Sequence, residues 1–211
     1  MIVAALAVLL VAAPAAALDV AVEPYRQASL AGTVGTVTGR VYAESRTPNG
    51  PAQPITGTTV TLLPRSQALV LELERLKEQS RQSSKAFAAA APAMRRAQDE
   101  FERALLTAGA PDLSPRMQVA ADGTFRVADV PAGDWLLVAW HSSPADVSVA
   151  KSRPRDRQLY QLDKRLTGYQ AVIVWLRDLM VSAGQTSTLE LTDRNEWFRG
   201  VIEERSLDAG R

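Results

Sequence analysis

The segment DGTFRVADVPAGDW, residues 122–135, decides the fold. Its Asp-Gly dipeptide is typical of a tight hairpin turn that needs a positive φ, and the next four residues alternate between polar and apolar as in a half-buried strand. Pro131 and Gly133 mark a second turn, where Gly133 is expected in a conformation that a Cβ would forbid. The rings of Phe125 and Trp135 are predicted to lie inside a β-sandwich, each contributing up to about 3 kcal/mol through burial.

Short strands separated by turn signals are predicted on both sides of this segment. Runs rich in β-branched and apolar residues lie at 36–42, 58–63, 135–140, 171–176 and 187–191. Two of these runs, 135–140 and 171–176, are apolar on both faces, as expected of central strands. About seven short strands indicate a mainly β fold, an antiparallel β-sandwich of immunoglobulin-like or prealbumin-like size.

Residues 66–108 interrupt the strands with good helix formers, and small or apolar residues recur there at spacings of four and three. Ser66 is a plausible N-cap, and Gly109 supplies a stop. A single helix of about 40 residues would end about 60 Å away, so an inserted helical hairpin is predicted. Its turn lies either in the polar residues 80–84 or at 91–92. The second place is considered because a proline inside a helix, here Pro92, costs about 3 kcal/mol. The apolar seam either joins the two arms or docks a partner.

The N-terminal residues 1–17 are almost wholly apolar and end in small residues, which predicts a secretory signal peptide cleaved after Ala17, or else a retained anchor. Residues 18–32 are expected to form an extended leader, residues 33–203 the sandwich domain, and residues 204–211 a tail. No second long apolar segment follows, so the mature chain is expected to lack a transmembrane segment and to be periplasmic or extracellular.

Composition excludes several function classes. The chain has no Cys, one His and a net charge of +1. The residue counts rule out thiolate zinc sites, cysteine nucleophiles and catalytic schemes with two imidazoles. The net charge provides no overall electrostatic attraction to nucleic acid. No cofactor, metal or catalytic residue is predicted. His141 is interpreted as a strand-end histidine with a local hydrogen bond. Asp122, Asp129 and Asp134 are assigned to Asx turns in preference to a calcium site.

Residues 122–135, together with 39–41 and 57–62, resemble the carboxypeptidase regulatory-like domain family. That family has a prealbumin-like β-sandwich related in architecture to transthyretin and to starch-binding-like modules. The resemblance covers most of residues 32–191 and implies a non-catalytic accessory module, extracellular or periplasmic, with no fixed ligand. The helical hairpin departs from the family pattern, and fold analogy transfers function poorly.

The connection 142–168 is long for a compact domain, and connections of this length are usually functional or disordered. Between residues 151 and 165 it carries six basic residues against two acidic ones, an excess that suits anionic lipid headgroups, an acidic glycan or an acidic partner. A solvated loop is the alternative. Tyr160 and Tyr169 could stack on sugar rings. The candidate binding residues are Lys151, Arg153, Arg155, Arg157, Tyr160, Lys164 and Arg165.

These features predict an exported, non-catalytic binding or structural module of the cell envelope, whose partner is an envelope protein or a glycan. One alternative is a glycan hydrolase with carboxylates alone, which needs two of them about 5 to 10 Å apart in a concave pocket. Another is self-assembly through the helical hairpin. Near the C-terminus, Trp197 and Phe198 are expected to cover one end of the sandwich.

Overall fold

The computed structural model describes residues 18–45, 47, 50–145 and 164–207. The predicted signal peptide and the basic residues from Lys151 to Arg157 lie outside these ranges, as does Tyr160. Among the described helices, none is long and apolar enough to cross a membrane.

The described residues form nine strands, three α-helices and one short 3-10 turn. In chain order they are α1 (Glu23–Leu30), β1 (Val34–Ala43), β2 (Gln53–Pro54), β3 (Thr59–Pro64), α2 (Gln67–Ser80), α3 (Ser84–Thr107), the 3-10 turn (Pro111–Leu113), β4 (Arg116–Gln118), β5 (Thr124–Pro131), β6 (Gly133–Pro144), β7 (Lys164–Val181), β8 (Thr186–Thr192) and β9 (Phe198–Leu207).

The strands form two facing sheets, which confirms the predicted β-sandwich. In the first sheet β1 pairs antiparallel with β2 and β5, and it pairs parallel with β8. In the second sheet the order is β4-β3-β6-β7-β9, and all of its pairs are antiparallel. The parallel β1–β8 pair departs from the antiparallel prediction. It arises because β7 and β8 belong to different sheets, so the turn at 182–185 carries the chain across the sandwich.

The core between the two sheets, here called the inner core, contains both predicted aromatic anchors. Phe125 and Trp135 are buried, as expected, and the indole N–H of Trp135 donates to the Pro131 carbonyl at 2.8 Å. Gly133 has a φ of +149°, and a Cβ there would lie 2.9 Å from Cε1 of Tyr25. The glycine is therefore required by both its backbone and the ring packed against it.

The predicted extended leader is wrong for residues 23–30, which form α1. Pro24 suits the first turn of a helix, and the helix is fixed by Tyr25. The Tyr25 ring lies edge-on to Trp135 at 5.2 Å between centroids, and its hydroxyl donates to the Asp134 carbonyl at 2.6 Å. Tertiary anchoring of one buried ring overrides the weak local pattern of this stretch.

The helical hairpin forms at the predicted residues, but it is a third layer rather than an addition to a complete sandwich. It packs on the outer face of the second sheet and makes a second buried cluster, the outer core. The buried helical members are Leu69, Leu73, Ala90, Ala91, Met94, Phe101 and Leu105, and the strand members are Leu63, Leu136, Val138, Trp140, Val172, Val174 and Phe198. Alternate residues of β6 therefore face different cores, which explains why that strand is apolar on both sides.

The hairpin turns at residues 81–83, the first of the two predicted places. Ser66 caps α2 as expected, since its Oγ accepts from Leu69 N at 3.0 Å. The alternative turn at 91–92 does not form, because Pro92 lies inside a continuous α3. Its neighbours Ala91 and Met94 are fully buried, and their packing on the sheet offsets the lost helical hydrogen bond.

This packing also corrects the interpretation of the seam. The seam residues Leu69, Leu73 and Met94 face the second sheet, so they do not form a free apolar edge for self-assembly. Trp197 and Phe198 belong to this region too, and not to an end of the sandwich. Phe198 is part of the outer core, with Trp197 packed against it.

The tight turn predicted at Asp122-Gly123 is present, since Gly123 has a φ of +84°, its N–H donates to the Ala120 carbonyl at 2.9 Å, and Ala120 N donates to the Thr124 carbonyl at 2.8 Å. The turn joins β4 of the second sheet to β5 of the first, so it forms a corner of the sandwich and not a hairpin within one sheet. At the C-terminus, β9 continues to Leu207, three residues beyond the predicted start of the tail at 204. Pairing with the long strand β7, from Phe198 opposite Val174 onward, extends the strand.

Candidate functional site

Two open grooves lie on opposite faces of the protein, and the first is formed by the hairpin. This aromatic groove, with a volume of about 680 Å³, is lined by Ser84, Lys85, Phe87, Ala88, Ala89 and Pro92 of α3, by Tyr169 of β7, and by Val201 and Glu203 of β9.

Small residues let α3 approach β9 closely enough to form the floor of the aromatic groove. Ala91 is fully buried, and a Cβ on Gly200 would lie 3.6 Å from the Ala91 Cβ. The start of α3 is fixed by Ser83, whose Oγ accepts from Ala86 N at 3.1 Å. This N-cap determines where the helix begins, and therefore places the first two turns of α3 beside the sheet.

The side chains around the aromatic groove combine apolar rings with charges of both signs. Phe87 is 38% exposed, and Tyr169 is half-buried. Tyr169 lies directly opposite Glu203 in the β7–β9 register, and its carbonyl accepts from Ala145 N at 2.9 Å. Lys85 is exposed on the helical side. Such a groove can stack a flat ligand while offering hydrogen-bond donors and acceptors.

The second groove lies on the outer face of the first sheet, around two arginines. This arginine groove has a volume of about 560 Å³. It is lined by Thr38, Gly39 and Arg40 of β1, Met117 and Gln118 of β4, Ala120 of the corner, Thr124, Phe125 and Arg126 of β5, and Thr188 of β8.

The register places the two guanidinium groups on one face. Arg40 lies opposite Thr124, and Thr38 lies opposite Arg126. The arginines are thus diagonal neighbours, a relationship that puts their Cα atoms about 7–8 Å apart. On the other side of β1, Thr38 Oγ1 is 3.3 Å from Thr188 Oγ1.

Two carboxylates flank the Arg40 end of the arginine groove without pairing with it. Glu190 lies opposite Arg40 in the β1–β8 register, but it accepts from the Tyr42 hydroxyl at 3.0 Å, a bond that raises the pKa of Tyr42. Asp122 accepts from the Thr124 hydroxyl at 2.7 Å and from Thr124 N at 2.9 Å. These bonds, helped by the nearby charge of Arg40, hold the pKa of Asp122 below its ordinary value.

The three acidic residues singled out from the sequence take separate structural positions. Asp122 makes the predicted Asx-turn bonds, and Asp129 has a positive φ of 57°. The carbonyl of Asp134 accepts from Tyr25, as described, and from Arg65 N at 3.0 Å. Within the described ranges, no three His, Asp or Glu side chains are grouped as metal ligands.

His141 lies inside β6, opposite Ile173 of β7 and three residues before the strand ends at Pro144, so the predicted strand-end position is wrong. Its Nδ1 lies 3.4 Å from the Thr58 hydroxyl, at the rim of the inner core. Burial lowers the pKa of His141, and a backbone hydrogen bond at Thr56 opposes this only in part. The imidazole lines neither groove.

Neither groove has the geometry that a carboxylate-only hydrolase needs. Among the described residues, Glu203 is the sole acid lining the aromatic groove, and none lines the arginine groove. A pair of carboxylates facing one concave pocket is the feature on which that mechanism depends.

The predicted basic binding residues are only partly described. Lys164 and Arg165 lie in β7, opposite Leu207 and Ser206, so they belong to a strand and not to the predicted loop. The length of β9 explains the difference, because each of its residues supplies backbone partners that extend β7.

The two arginines of the arginine groove, Arg40 and Arg126, are not singled out from the sequence, since alternation marks them only as solvent-facing.

Comparisons with protein-family models and with curated proteins find no match. Solved structures with some likeness include a protein from Pseudomonas aeruginosa described provisionally as carbohydrate-binding, with 14% identity, a TM-score of 0.41, and coverage of 76% of this chain and 88% of that one. The minor pilin of Streptococcus agalactiae has 8% identity, a TM-score of 0.31, and coverage of 85% of this chain and 48% of the pilin.

The pilus backbone of Streptococcus pneumoniae has 10% identity, a TM-score of 0.28, and coverage of 75% of this chain and 40% of the pilus protein. The chain therefore spans less than half of either pilin. Likenesses this weak support no conclusion about function, and the resemblance to the carboxypeptidase regulatory-like family stays a prediction.

Proposed function

We propose that the protein is an exported, non-catalytic module that binds a glycan of the cell envelope in the aromatic groove. The observation that carries this proposal is the pair of accessible rings, Phe87 on α3 and Tyr169 on β7, on either side of one open groove of about 680 Å³. That volume falls within the range of about 300–1,000 Å³ that is usual for small-ligand sites.

The chemistry of the lining favours a sugar. The apolar face of a pyranose ring stacks on an aromatic ring, and its hydroxyls then point to polar groups at the rim. Lys85 of the rim supplies donors to the oxygens of a bound sugar, and Glu203 is the acidic residue beside it. The absence of a carboxylate pair from both grooves is the reason for proposing binding without hydrolysis.

Export rests on the apolar residues 1–17, and the described N-terminal residues are compatible with cleavage after Ala17. Asp19 accepts from the Ser66 hydroxyl at 2.6 Å and from Ala68 N at 2.8 Å. These bonds would hold the new N-terminus of the mature chain on α2. The basic residues between 151 and 165 are proposed to hold the module near anionic components of the envelope.

Calorimetric titration with neutral gluco-, xylo- and chito-oligosaccharides tests the glycan proposal. Tyr169→Ala and Phe87→Ala are each expected to weaken binding about fivefold, since stacking on one ring is worth about 1 kcal/mol. Leu106→Ala is the matched control, because Leu106 is 61% exposed on the same helix and lines neither groove. Failure of the wild-type protein to bind any of these sugars, or equal affinity in the three variants, would contradict the proposal.

A further inference from the structure

We propose that the arginine groove is a second binding site, selective for sugars that carry a carboxylate, such as uronates. This inference stands on different residues from the aromatic groove and does not require the proposed function to be correct. It follows from the charge of two arginines, the hydroxyl groups of the threonines beside them and the backbone hydrogen bonds of β1.

The first element is a pair of guanidinium groups without a carboxylate partner among the described residues, of which that of Arg40 lies 5.5 Å from the centroid of the Tyr42 ring. Arg40 and Arg126 are both exposed, and neither forms an ion pair with another described residue. By contrast, Arg65, Arg116 and Arg199 all contact carboxylates. A guanidinium group binds a carboxylate through two parallel hydrogen bonds, which makes arginine well suited to this group.

The second element is the set of hydroxyl groups between and beside the arginines. Thr38 and Thr188 share one hydrogen bond, so the pair keeps one free O–H donor and acceptor positions on both oxygens. Thr124 donates to Asp122 and can still accept. Together the three threonines offer the mixed donors and acceptors that sugar hydroxyls need.

The backbone of the sheet argues against an acidic peptide as the ligand. β1 is hydrogen-bonded along one edge to β5 and along the other to β8. An extended peptide could therefore not add to β1 as a further strand, although β5, which ends its sheet among the described strands, keeps an unpaired edge. A ligand rich in hydroxyls uses the threonines, whereas a peptide carboxylate would use only the arginines.

The flanking acids indicate where the carboxylate would lie. Glu190 and Asp122 are both close to the Arg40 side, whereas no acid is described as interacting with Arg126. Their negative charge disfavours an anion beyond Arg40. The carboxylate is therefore placed between the two arginines and nearer Arg126, beside Thr38, because Thr124 already donates to Asp122.

Titration at low salt with a short oligogalacturonate, and with its methyl ester as a neutral match, tests this site. Arg40→Gln and Arg126→Gln are each expected to weaken oligogalacturonate binding at least fivefold, and Arg126→Lys to restore only part of it, because lysine keeps the charge and loses the two parallel bonds. Arg96→Gln, at an exposed position of α3 outside both grooves, is the charge-matched control and should bind as the wild type does.

Four results would overturn the proposal. They are absence of binding to the wild type, equal affinity in the Arg40→Gln/Arg126→Gln double variant, equal affinity for the methyl ester, and equal affinity for inorganic phosphate or polyglutamate. Tyr169→Ala should leave this binding unchanged. Loss of oligogalacturonate binding in Tyr169→Ala, with retention in the arginine variants, would instead place the ligand in the aromatic groove.

Discussion

The indole N–H of Trp140, on β6, donates a hydrogen bond of 2.6 Å to Oε1 of Gln98, on α3, and both side chains are buried. Gln98 in turn donates to Glu102 at 2.7 Å, and Glu102 accepts from Arg116 of β4 at 2.7 Å. The guanidinium of Arg95 lies 4.1 Å from the centroid of the Trp140 ring. A polar chain within the outer core therefore fixes the helical hairpin to the second sheet.

Replacing Gln98 with leucine is expected to lower the free energy of unfolding by about 1–3 kcal/mol, because the buried indole N–H loses its acceptor. Denaturant unfolding measures this change. In a Trp140→Phe background, where no N–H is present, the same substitution should cost at least 1 kcal/mol less. Equal costs in the two backgrounds would show that the hydrogen bond does not couple the helix to the sheet.

The pKa of His141 is expected to lie below 6.5, since burial disfavours the imidazolium. His141 is the one histidine of the chain, so its ring signals in NMR spectra need no assignment by mutagenesis. Between the lowered pKa and 6.5 the unfolded state binds more protons, so stability should decrease as the pH falls through this interval. A midpoint at or above 6.5 would contradict the buried placement, and His141→Gln should remove this part of the pH dependence.

The pKa of Asp19 is expected to lie below 3.8. Burial alone would raise it, but the hydrogen bonds from Ser66 and from Ala68 N outweigh that effect. Ionised Asp19 therefore stabilises the fold above pH 3.8, and this contribution should be lost as the pH falls through the lowered pKa. Unfolding of the wild type and of Asp19→Asn should differ by a constant amount at neutral pH and converge in acid. A gap that widens in acid would reverse the assigned sign.

Gly133→Ala is expected to lower the free energy of unfolding by about 3 kcal/mol, near the upper end for single substitutions. The alanine would have to adopt a positive φ, and its Cβ would lie 2.9 Å from Cε1 of the Tyr25 ring. Gly184→Ala is the matched control, since Gly184 has a φ of +67° and nothing within 4 Å of the built Cβ, so it should cost only about 1–2 kcal/mol. Similar losses in thermal or denaturant unfolding would show that the Tyr25 contact is unimportant.

Local sequence patterns predicted the elements of this fold better than their assembly. Alternation and turn residues predicted the sandwich, and capping at Ser66 with a stop at Gly109 predicted the limits of the hairpin. The same patterns could not show that β6 is apolar on both faces because two different cores enclose it. That property depends on where α3 packs, which is a contact between residues such as Gln98 and Trp140 that are far apart in the chain.

The candidate sites were less predictable for the same reason. The aromatic character of Tyr169 predicts contact with a sugar, but Phe87 fits the apolar spacing of the helical hairpin and carries no separate signal of binding. Arg40 and Arg126 are 86 positions apart, and only the β1–β5 register brings them to one groove. Solvent-facing arginines on strands are common, so neither residue carries a local signal of binding.

The central claim is that the hairpin is a cooperative layer of the fold, and that the aromatic groove exists because α3 is held on the second sheet. Native-state hydrogen exchange tests this claim most directly. The amides of residues 94–105 in α3 should exchange only through the same global unfolding that exposes residues 136–140 of β6. Exchange of the α3 amides through a separate, lower-energy opening, while β6 stays protected, would contradict the account.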